Sequence, residues 1–396
     1  MSHSDYCRHD FNISPLMFYY EVTMACDLVC KHCRASAQQQ RHPEELATEQ
    51  SKALIDQVAS FPRGPTLVLT GGDPLKRADL FELIRHAVGR GLQPALTPSA
   101  TPLATFDAFQ RAREAGVRAL GISLDGADAA THDAFRGWAG SFDRTMQMLE
   151  NARKLHLAVQ VNTSITRRNV HQVDAIAELL AGQGIAMWSV FFLVPVGRGI
   201  EEQRIAPEEY ETVFGQLWRH AQRQPYAVKT TEAPHYRRFV LQHGGDPLAG
   251  PGSRGGSSES WGGSCTATPG ATVQLSPQRR QEEAETPAAH RGRAPLGVGD
   301  GKGIMFVSHN GEIFPAGFLP LCCGRFPQDS VVDVYQNHPT FRALRDPDHF
   351  KGRCGVCEFR HVCGGSRARA YAVTGDFLET EPDCVYVPAT YRGKTG

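Results

Sequence analysis

Several features are scarce in this 396-residue sequence, and each scarcity excludes a class of protein. There is no excess of either charge, because Lys plus Arg and Asp plus Glu both number 42, so no net field favours nucleic acid or a membrane surface. No apolar run approaches the roughly 20 residues of a membrane-spanning helix. The first residues, MSHSDYCRHDFN, contain no apolar core of the kind a secretory signal requires. The sequence therefore predicts a cytoplasmic protein.

Cysteine is abundant instead, with 11 residues in the chain. A disulfide framework is not expected, because cytosolic thiols are kept reduced and a chain of this length does not depend on covalent cross-links. The cysteines occur in groups at the spacing of metal ligands. The groups are Cys26, Cys30 and Cys33, then Cys322 and Cys323, then Cys354, Cys357, Cys363 and Cys384. This grouping indicates metal binding, whereas no role follows for Cys7 and Cys265.

Apolar runs alternate with amphipathic helical stretches over about the first 230 residues. Six runs bounded by turn residues are typical of buried parallel strands: LMFYYEVT, TLVLTGG, LQPALTPS, VRALGISLDG, LAVQVNTSIT and MWSVFFLVPVG. Parallel strands joined by helices need right-handed crossovers, which give either a barrel or an open doubly wound sheet. Both architectures place functional residues just after the carboxyl ends of the strands.

The composition changes near residue 244. Residues 244–302 lack periodicity and are rich in Gly, Ser, Pro and charge, so they cannot bury enough apolar surface to offset their ordering entropy. Structure is predicted to resume at GIMFVSHNGEIFPAG, where Asn310 and Gly311 between two apolar runs indicate a hairpin. We therefore predict an N-terminal tail over 1–15, an α/β domain over 16–243, a linker or loop over 244–302 and a small cysteine-rich domain over 303–396.

The first cysteine group directly follows the first predicted strand, with the spacing Cys26-x3-Cys30-x2-Cys33. A cluster of four irons and four sulfides has four iron corners, and each corner normally takes one thiolate. Three thiolates would leave one iron open to a substrate or cofactor, as a catalytic zinc site leaves one position open. A three-ligand zinc site and unligated buried thiols are the alternatives.

This loop resembles that of the radical S-adenosylmethionine (SAM) superfamily, and the resemblance covers most of the chain outside the linker. In that family the open iron chelates the amino and carboxylate groups of S-adenosylmethionine, and reduction cleaves the cofactor to methionine and a 5'-deoxyadenosyl radical. The resemblance implies an α/β fold with a partial, six-unit β/α barrel, and a catalytic role for the three cysteines. Tyr20 and His32 lie beside the loop, where the family often has an aromatic and a packing residue, although simple core packing explains both equally well.

Further motifs occur in the order that the family has. TGGDP matches the family's glycine-rich turn, which meets the methionine amino group, with Asp73 in place of the commoner glutamate. The cofactor-binding residues that the resemblance implies are Gly71, Gly72, Asp73, Pro74, Ser99, Ser123, Asp125, Asn162 and Gly197. Each alone has a simpler explanation, since tight turns favour glycine and Ser or Asp at strand ends often cap helices.

The last cysteine group, Cys354-x2-Cys357-x5-Cys363-x20-Cys384, supplies four thiolates, enough to fill every corner of a second cluster. A filled ligand set suggests electron transfer, and a zinc ribbon is the alternative. The pattern resembles the SPASM/twitch extension of radical SAM enzymes. The segments HCRASA, SHNGEIFPAGFLPL and CGVCEFRHVCGGSRARAYAVTGD further resemble the group that acts on haem precursors, namely the haem d1 maturases and the decarboxylases of the alternative haem pathway.

The adjacent Cys322 and Cys323 depart from what this group usually has. They could bind a further cluster, replace one of the four presumed ligands, or be small buried apolar residues. The sequence leaves these three interpretations open.

The haem-pathway resemblance implies a tetrapyrrole substrate from which propionate groups are decarboxylated or removed. Arg136 and Arg198 are the predicted carboxylate anchors, because guanidinium groups pair bidentately with carboxylates. They could equally hold the carboxylate of a peptide or only support a loop. His235, Tyr236 and His309 are further polar candidates near strand ends or loops. The resemblance also implies a low-potential electron donor such as flavodoxin or ferredoxin, and no nucleic-acid or membrane partner.

Two other functions remain open on the sequence. A maturase of a ribosomally made peptide would use the same two clusters. A non-enzymatic iron-sulfur carrier or scaffold would explain the cysteines, but the ordered motifs from Gly71 to Arg198 favour an enzyme.

Overall fold

The computed structural model describes residues 10–247 and 297–392, and all ten strands within them form one sheet. The strands are β1 (Met17–Thr23), β2 (Thr66–Gly71), β3 (Gln93–Leu96), β4 (Ala119–Ser123), β5 (Ala158–Ile165), β6 (Met187–Phe192), β7 (Ala227–Thr231), β8 (Ile304–Val307), β9 (Glu312–Phe314) and β10 (Gly324–Arg325). Their order across the sheet is β10-β9-β8-β1-β2-β3-β4-β5-β6-β7, so the sheet is open.

Helices follow most of the strands. The α-helices are α1 (Thr48–Ala59), α2 (Leu80–Gly89), α3 (Phe106–Ala115), α4 (Ala129–Arg136), α5 (Ser141–Lys154), α6 (Val173–Ala181), α7 (Pro207–Arg223), α8 (His235–Gln242), α9 (Val331–Asn337), α10 (Pro339–Arg345), α11 (Gly352–Gly355), α12 (Arg367–Thr374) and α13 (Ala389–Arg392). Short 3-10 helices lie at Pro74–Lys76, Val170–Gln172, Gly197–Glu201 and Pro347–His349. In the described part of the chain, no helix has the length and apolar character needed to cross a bilayer.

Strands β1 to β7 are parallel neighbours in chain order. All six predicted strands are present, and the predicted α/β fold with an open, partial β/α barrel is confirmed. Strand β7 is a seventh parallel strand that the sequence analysis did not predict. Its sequence, AVKTT, is short and carries Lys229 and two threonines in place of an apolar run, so it gave no strand signal.

The core beneath β1 determines where the first cysteine loop begins. Phe18, Tyr20 and Val22 are completely buried, and Leu54 and Ile55 of α1 belong to the same apolar cluster. Burying a side chain of this size stabilises the fold by about 1.5–3 kcal/mol. The strand is therefore held firmly up to Thr23, after which the chain turns into the cysteine loop.

The C-terminal part of the chain continues the same sheet. Strand β8 pairs in parallel with β1, with Met17 opposite Ile304 and Tyr20 opposite Val307. Strands β8 and β9 are antiparallel, which confirms the hairpin predicted at Asn310 and Gly311. The predicted cysteine-rich region thus contributes strands to the sheet that carries the first cysteine loop.

Most of the predicted linker, residues 248–296, lies outside the described residues, as do Cys7 and Cys265. Residues 297–302 are described, and Gly299 forms a bridge with Gly303. The buried carboxylate of Asp300 accepts a hydrogen bond from the Ala368 amide at 2.9 Å. This segment is therefore tied to helix α12 immediately before β8 begins.

Candidate functional site

The first cysteine loop is a compact, largely buried structure. Cys26 and Cys30 are buried and Cys33 is half-buried, and they pack together with Leu28 and Ala37. The Leu28 amide donates to Cys26 Sγ and the Ala37 amide donates to Cys33 Sγ, both at 3.4 Å. Amide donors to cysteine sulfur are among the features that tune iron-sulfur clusters, so the loop fits such a group.

The thiols of this loop need a metal to become thiolates. Burial raises the pKa of the Cys26 thiol to about 11, and it also raises the pKa of Cys30. Metal ions displace protons from such thiols when they bind. Three thiols on one loop can hold a cluster in which each thiolate takes its own iron.

Arg198 holds the loop in place from the end of β6. Its backbone amide donates to the Cys33 carbonyl at 3.0 Å. Its side chain donates to the carbonyls of Cys30 and Ala37, each at 2.9 Å. The preceding Gly197 has φ of 56°, and a Cβ there would lie 2.5 Å from the Cys33 carbonyl oxygen. Two of its guanidinium nitrogens are thus used by the loop, while Nη2 is buried without a hydrogen-bond partner, and the anchor role of Arg198 stays a prediction.

Arg136 is also committed to the loop. Its Nη2 lies 2.7 Å from Oδ2 of the buried Asp125, and its Nη1 lies 3.6 Å from Cys30 Sγ. Burial alone would raise the pKa of Asp125, but Arg136 and His32 outweigh it and hold that pKa below its usual value. The structure thus pairs two predicted site residues, Arg136 and Asp125, with each other beneath the cysteines. The anchor role of Arg136 stays a prediction, for a guanidinium that already pairs with a buried carboxylate.

The GGDP turn packs against the start of the cysteine loop. The Gly72 amide donates to the Thr23 carbonyl at 2.8 Å, and the Asp73 amide donates to the Ala25 carbonyl at 2.7 Å. A Cβ at Gly71 would lie 2.3 Å from the Thr23 oxygen, and one at Gly72 would lie 2.5 Å from the Ala25 oxygen. Both positions therefore require glycine, because the two backbones touch.

The Asp73 side chain faces inward, which the sequence did not predict. Its completely buried carboxylate accepts from Thr101 Oγ1 at 2.6 Å, from the Leu75 amide at 3.1 Å and from the Ser99 amide at 3.3 Å. Burial raises the pKa of Asp73 despite these donors. Asp73 thus caps the 3-10 helix that begins at the buried Pro74. It also positions Ser99, whose Oγ lies 3.7 Å from Cys26 Sγ.

Ser123 lies at the carboxyl end of β4, and Asn162 lies beside it within β5. They are register partners in the β4–β5 pair, and both are half-buried. Asn162 Oδ1 accepts from Gln160 Nε2 at 2.8 Å. They stay predicted cofactor contacts, at the edge of the sheet where β1 and β2 also end.

A large cavity opens next to the cysteine loop, with a volume of about 560 Å³. Its lining comes from the end of β1, the segment after Cys33, the segment after β6, the β8–β9 hairpin and helix α12. The lining residues are Glu21, Met24, Arg34, Ala35, Pro195, Val196, Gly197, Ile200, Phe306, Ser308, His309, Glu312, Phe314, Ala316, Gly317, Pro320, Tyr371, Ala372 and Gly375. Most of these side chains are apolar, which is usual for a site that holds a small organic molecule.

One charged group, the Glu21 cluster, stands out in the wall of this cavity, and it consists of Glu21, Arg34 and His309. Glu21 is 3% exposed; one carboxylate oxygen pairs with Arg34, and the other lies 2.8 Å from His309 Nδ1. Burial alone would raise the pKa of Glu21, but Arg34 and His309 hold it below its usual value. The Arg34 guanidinium also lies 4.4 Å from the centre of the Phe306 ring.

The sequence analysis singled out His309 but missed Glu21 and Arg34. Arg34 directly follows Cys33, in the segment HCRASA that resembles haem-precursor enzymes, but no role was predicted for this arginine. Glu21 is the one acidic residue within the apolar run of β1, and that exception was the available signal. Buried charges in cores are rare unless they are paired.

The last cysteine group comes together as predicted. Cys354, Cys357, Cys363 and Cys384 line one small cavity. The Glu381 amide donates to Cys354 Sγ at 3.3 Å, and the Gly365 amide donates to Cys363 Sγ at 3.4 Å. The predicted polar residue His235 lines this same cavity, whereas Tyr236 is buried in the main core.

Cys322 and Cys323 line neither of the two cavities described here. Cys322 is exposed, and Cys323 is buried in the main apolar core. Burial raises the pKa of the Cys323 thiol, as expected for a small apolar side chain in a core.

Comparisons with known proteins agree with this geometry. Residues 20–180 match the sequence profile of the Radical SAM superfamily. The AdoMet-dependent heme synthase of Methanosarcina barkeri is 37% identical over 377 residues, which cover 95% of this chain and 97% of that protein. The Fe-coproporphyrin III synthase of the same organism is 36% identical, covering 92% of this chain and 86% of that protein. The crystal structure of Streptococcus suis SuiB bound to S-adenosylmethionine has the same fold, with a TM-score of 0.66 at 13% identity over 94% of this chain and 78% of SuiB.

Proposed function

This chain belongs to the radical SAM superfamily, and from that membership we propose that it removes carbon dioxide from propionate side chains of an iron tetrapyrrole of the coproporphyrin type. It is a SAM-dependent enzyme, and the names of its relatives support a haem precursor as its substrate. A non-enzymatic carrier of iron-sulfur clusters would have no use for the cavity beside the cysteine loop.

The observation that carries the substrate class is the cavity of about 560 Å³ that begins one residue after Cys33. Its wall is mostly apolar and contains the Glu21 cluster. A flat macrocycle rimmed by carboxylates needs such a surface, with apolar contact on its faces and a few charged groups at its edge. Arg34 takes the role of propionate anchor, because it lines the cavity and its planar fork suits a carboxylate.

The residues at the first site would hold the superfamily's 4Fe-4S cluster through Cys26, Cys30 and Cys33. When bound, the cluster and S-adenosylmethionine supply a 5'-deoxyadenosyl radical that abstracts hydrogen. Backbone and side chains at the strand ends would orient the cofactor. These positions are Gly71, Gly72, Pro74, Ser99, Ser123, Asn162 and Gly197. Asp73, Asp125, Arg136 and Arg198 would act through the loop and the turn that they support.

The proposed reaction converts each propionate side chain into a vinyl group. A hydrogen atom leaves the propionate carbon next to the macrocycle, the bond to the carboxylate breaks, and carbon dioxide departs as a vinyl double bond forms. One electron is released for each propionate. The four thiols of Cys354, Cys357, Cys363 and Cys384 would hold an auxiliary 4Fe-4S cluster, a group suited to one-electron transfer. A low-potential protein such as flavodoxin or ferredoxin would supply the electron that starts each turnover.

An anaerobic titration with iron-coproporphyrin III tests this function. After reductant and S-adenosylmethionine are added, we expect the substrate mass to fall by one carbon dioxide and two hydrogens per propionate converted. A sirohaem-type precursor serves as the matched control for substrate class. If neither tetrapyrrole binds while uncoupled cofactor cleavage is normal, the substrate is of another class, and a ribosomally made peptide becomes the leading candidate.

A further inference from the structure

We propose that His309 is the axial ligand to the iron of the bound tetrapyrrole and that Glu21 positions its ring. The inference rests on the proposed function, since it requires a substrate that carries iron. It assigns a specific atom, His309 Nε2, to the metal of the substrate.

The position of His309 comes from the β8–β9 hairpin. His309 lies in the turn, two residues after β8 ends at Val307. The residue borders the cavity and is 8% exposed. Because β8 pairs with β1, the hairpin lies against the end of β1, and Glu21 is within reach. His309 therefore sits on a rigid turn, which metal ligation favours.

The hydrogen bond on Nδ1 leaves the other ring nitrogen available. Glu21 Oε1 lies 2.8 Å from His309 Nδ1, and an ionised carboxylate is an acceptor, so the proton resides on Nδ1. A neutral imidazole with its proton on Nδ1 has a lone pair on Nε2. Histidines that bind metals almost always donate their other N–H to a carboxylate or carbonyl in this way.

The carboxylate is itself held in place from a second direction. Arg34 pairs with the other oxygen of Glu21, so the carboxylate cannot rotate without losing one of two partners. Arg34 in turn stacks on Phe306 of β8. One buried carboxylate thus orients both the iron ligand and the propionate anchor, and the two would fix the macrocycle at its centre and at its edge.

His309 is the one imidazole among the described residues that line this cavity. His42 is its neighbour, with ring centres 5.0 Å apart in an edge-to-face arrangement, but His42 does not line the cavity. His42 is therefore the matched control, because it has the same ring close by without the same access.

Resonance Raman spectroscopy of the complete chain with ferrous coproporphyrin III tests the assignment. The unmutated protein and His42→Ala should show an iron–histidine stretching band. His309→Ala should lose that band and bind iron-coproporphyrin about tenfold more weakly or worse, and added imidazole should restore the band. Metal-free coproporphyrin III should bind His309→Ala and the unmutated protein equally, because it has the same carboxylates and no iron.

Glu21→Gln tests the positioning role separately. The amide keeps the size of the side chain, but its oxygen accepts a weaker hydrogen bond from His309 Nδ1 than a carboxylate does. The imidazole therefore becomes a poorer electron donor to the iron. We expect the iron–histidine band to move to lower frequency and the midpoint potential of the bound ferric–ferrous pair to rise. If Glu21 only fills space, Glu21→Gln should leave both the frequency of the band and the midpoint potential unchanged.

The outcomes separate the inference from the proposed function. If His309→Ala keeps the band and the affinity, His309 is not the iron ligand although the substrate class stands. The same holds if His309→Ala loses as much affinity for metal-free coproporphyrin III as for iron-coproporphyrin III. If the unmutated protein binds neither iron-coproporphyrin nor the metal-free macrocycle, the proposed function and this inference both fail.

Discussion

The two cysteine sites of this protein are built differently, although both contain cysteine sulfurs that accept hydrogen bonds from backbone amides. The first has three cysteines on one loop, at the end of a central strand and beside a large cavity. The second has four cysteines drawn from α11, the segment after it and the segment after α12, around a small cavity of their own. The difference in ligand number and surroundings supports the proposal that the first site meets the cofactor and substrate and that the second transfers electrons.

Arginines support both sites from elsewhere in the chain. The first loop is held by Arg198, in the 3-10 helix after β6, which donates to its carbonyls, and by Arg136, at the end of α4, which lies near Cys30 Sγ. The second is linked to the barrel by Arg369, whose buried guanidinium donates to Glu381 at 3.0 Å and to the Phe192 carbonyl at 3.0 Å. Arg204 and the Tyr210 hydroxyl also donate to the buried Asp383, so the second site, like the first, depends on several contacts with the barrel.

The strongest test of the comparison removes the first site. Replacing Cys26, Cys30 and Cys33 together by Ala should abolish S-adenosylmethionine cleavage, because no thiolate would remain to hold the cluster. Iron content should fall from about eight to about four per chain after anaerobic reconstitution. Iron near four in the unmutated protein would contradict the presence of two clusters.

Removing the second site should have a narrower effect. We expect Cys354→Ala or Cys384→Ala to cleave S-adenosylmethionine measurably while substrate turnover falls by about tenfold or more, a barrier increase of at least ~1.4 kcal/mol. Cofactor cleavage and product are quantified in the same reaction. Substrate turnover at the unmutated rate in both variants would contradict the electron-transfer role proposed for this site.

A smaller effect should follow from loosening the first loop without touching its thiols. Arg198→Ala leaves the carbonyls of Cys30 and Ala37 without their side-chain donor, which should cost about 1–3 kcal/mol of unfolding free energy. The first cluster should be lost more easily than the second under chelation. The control is Arg90→Ala, which breaks an exposed pair with Asp56 and should cost about 0–1 kcal/mol. Equal losses in the two variants, or equal loss of both clusters, would contradict this account of Arg198.

The smallest effect should come from shortening the Gly/Ser/Pro-rich stretch. Replacing residues 248–296 by a short flexible connector should leave both clusters and cofactor cleavage nearly unchanged, because such sequences tolerate change. Iron content and cleavage rate are the measurements. Loss of either cluster would make Cys265 a candidate ligand.

The parts that local sequence determines were predictable. Strands β1 to β6, the cysteine spacing and the glycine turn are each specified within a few residues, by apolar runs, ligand chemistry and backbone contact. The resemblance to the radical SAM superfamily rested on such local motifs, and it is confirmed.

The parts that depend on distant contacts were not predictable. Arg136 and Arg198 were predicted as carboxylate anchors, and the fold places them against Asp125 and the loop carbonyls. Asp73 was predicted to meet the cofactor, and its buried carboxylate accepts a hydrogen bond from Thr101. An arginine or aspartate does not encode which partner it will find, since that is decided by where separate strands end in the sheet.

The pairing of β8 with β1 has a consequence for synthesis of the chain. Residues 17–20 are made early, but their partners at 304–307 follow nearly 300 residues later. At about 5–20 residues per second on the ribosome, the β1 edge waits on the order of tens of seconds for its second neighbour. During that interval a nascent chain presents an open, apolar strand edge, the kind that invites wrong pairing. The strand that leads into the first cysteine loop thus gains its second neighbour only late in synthesis.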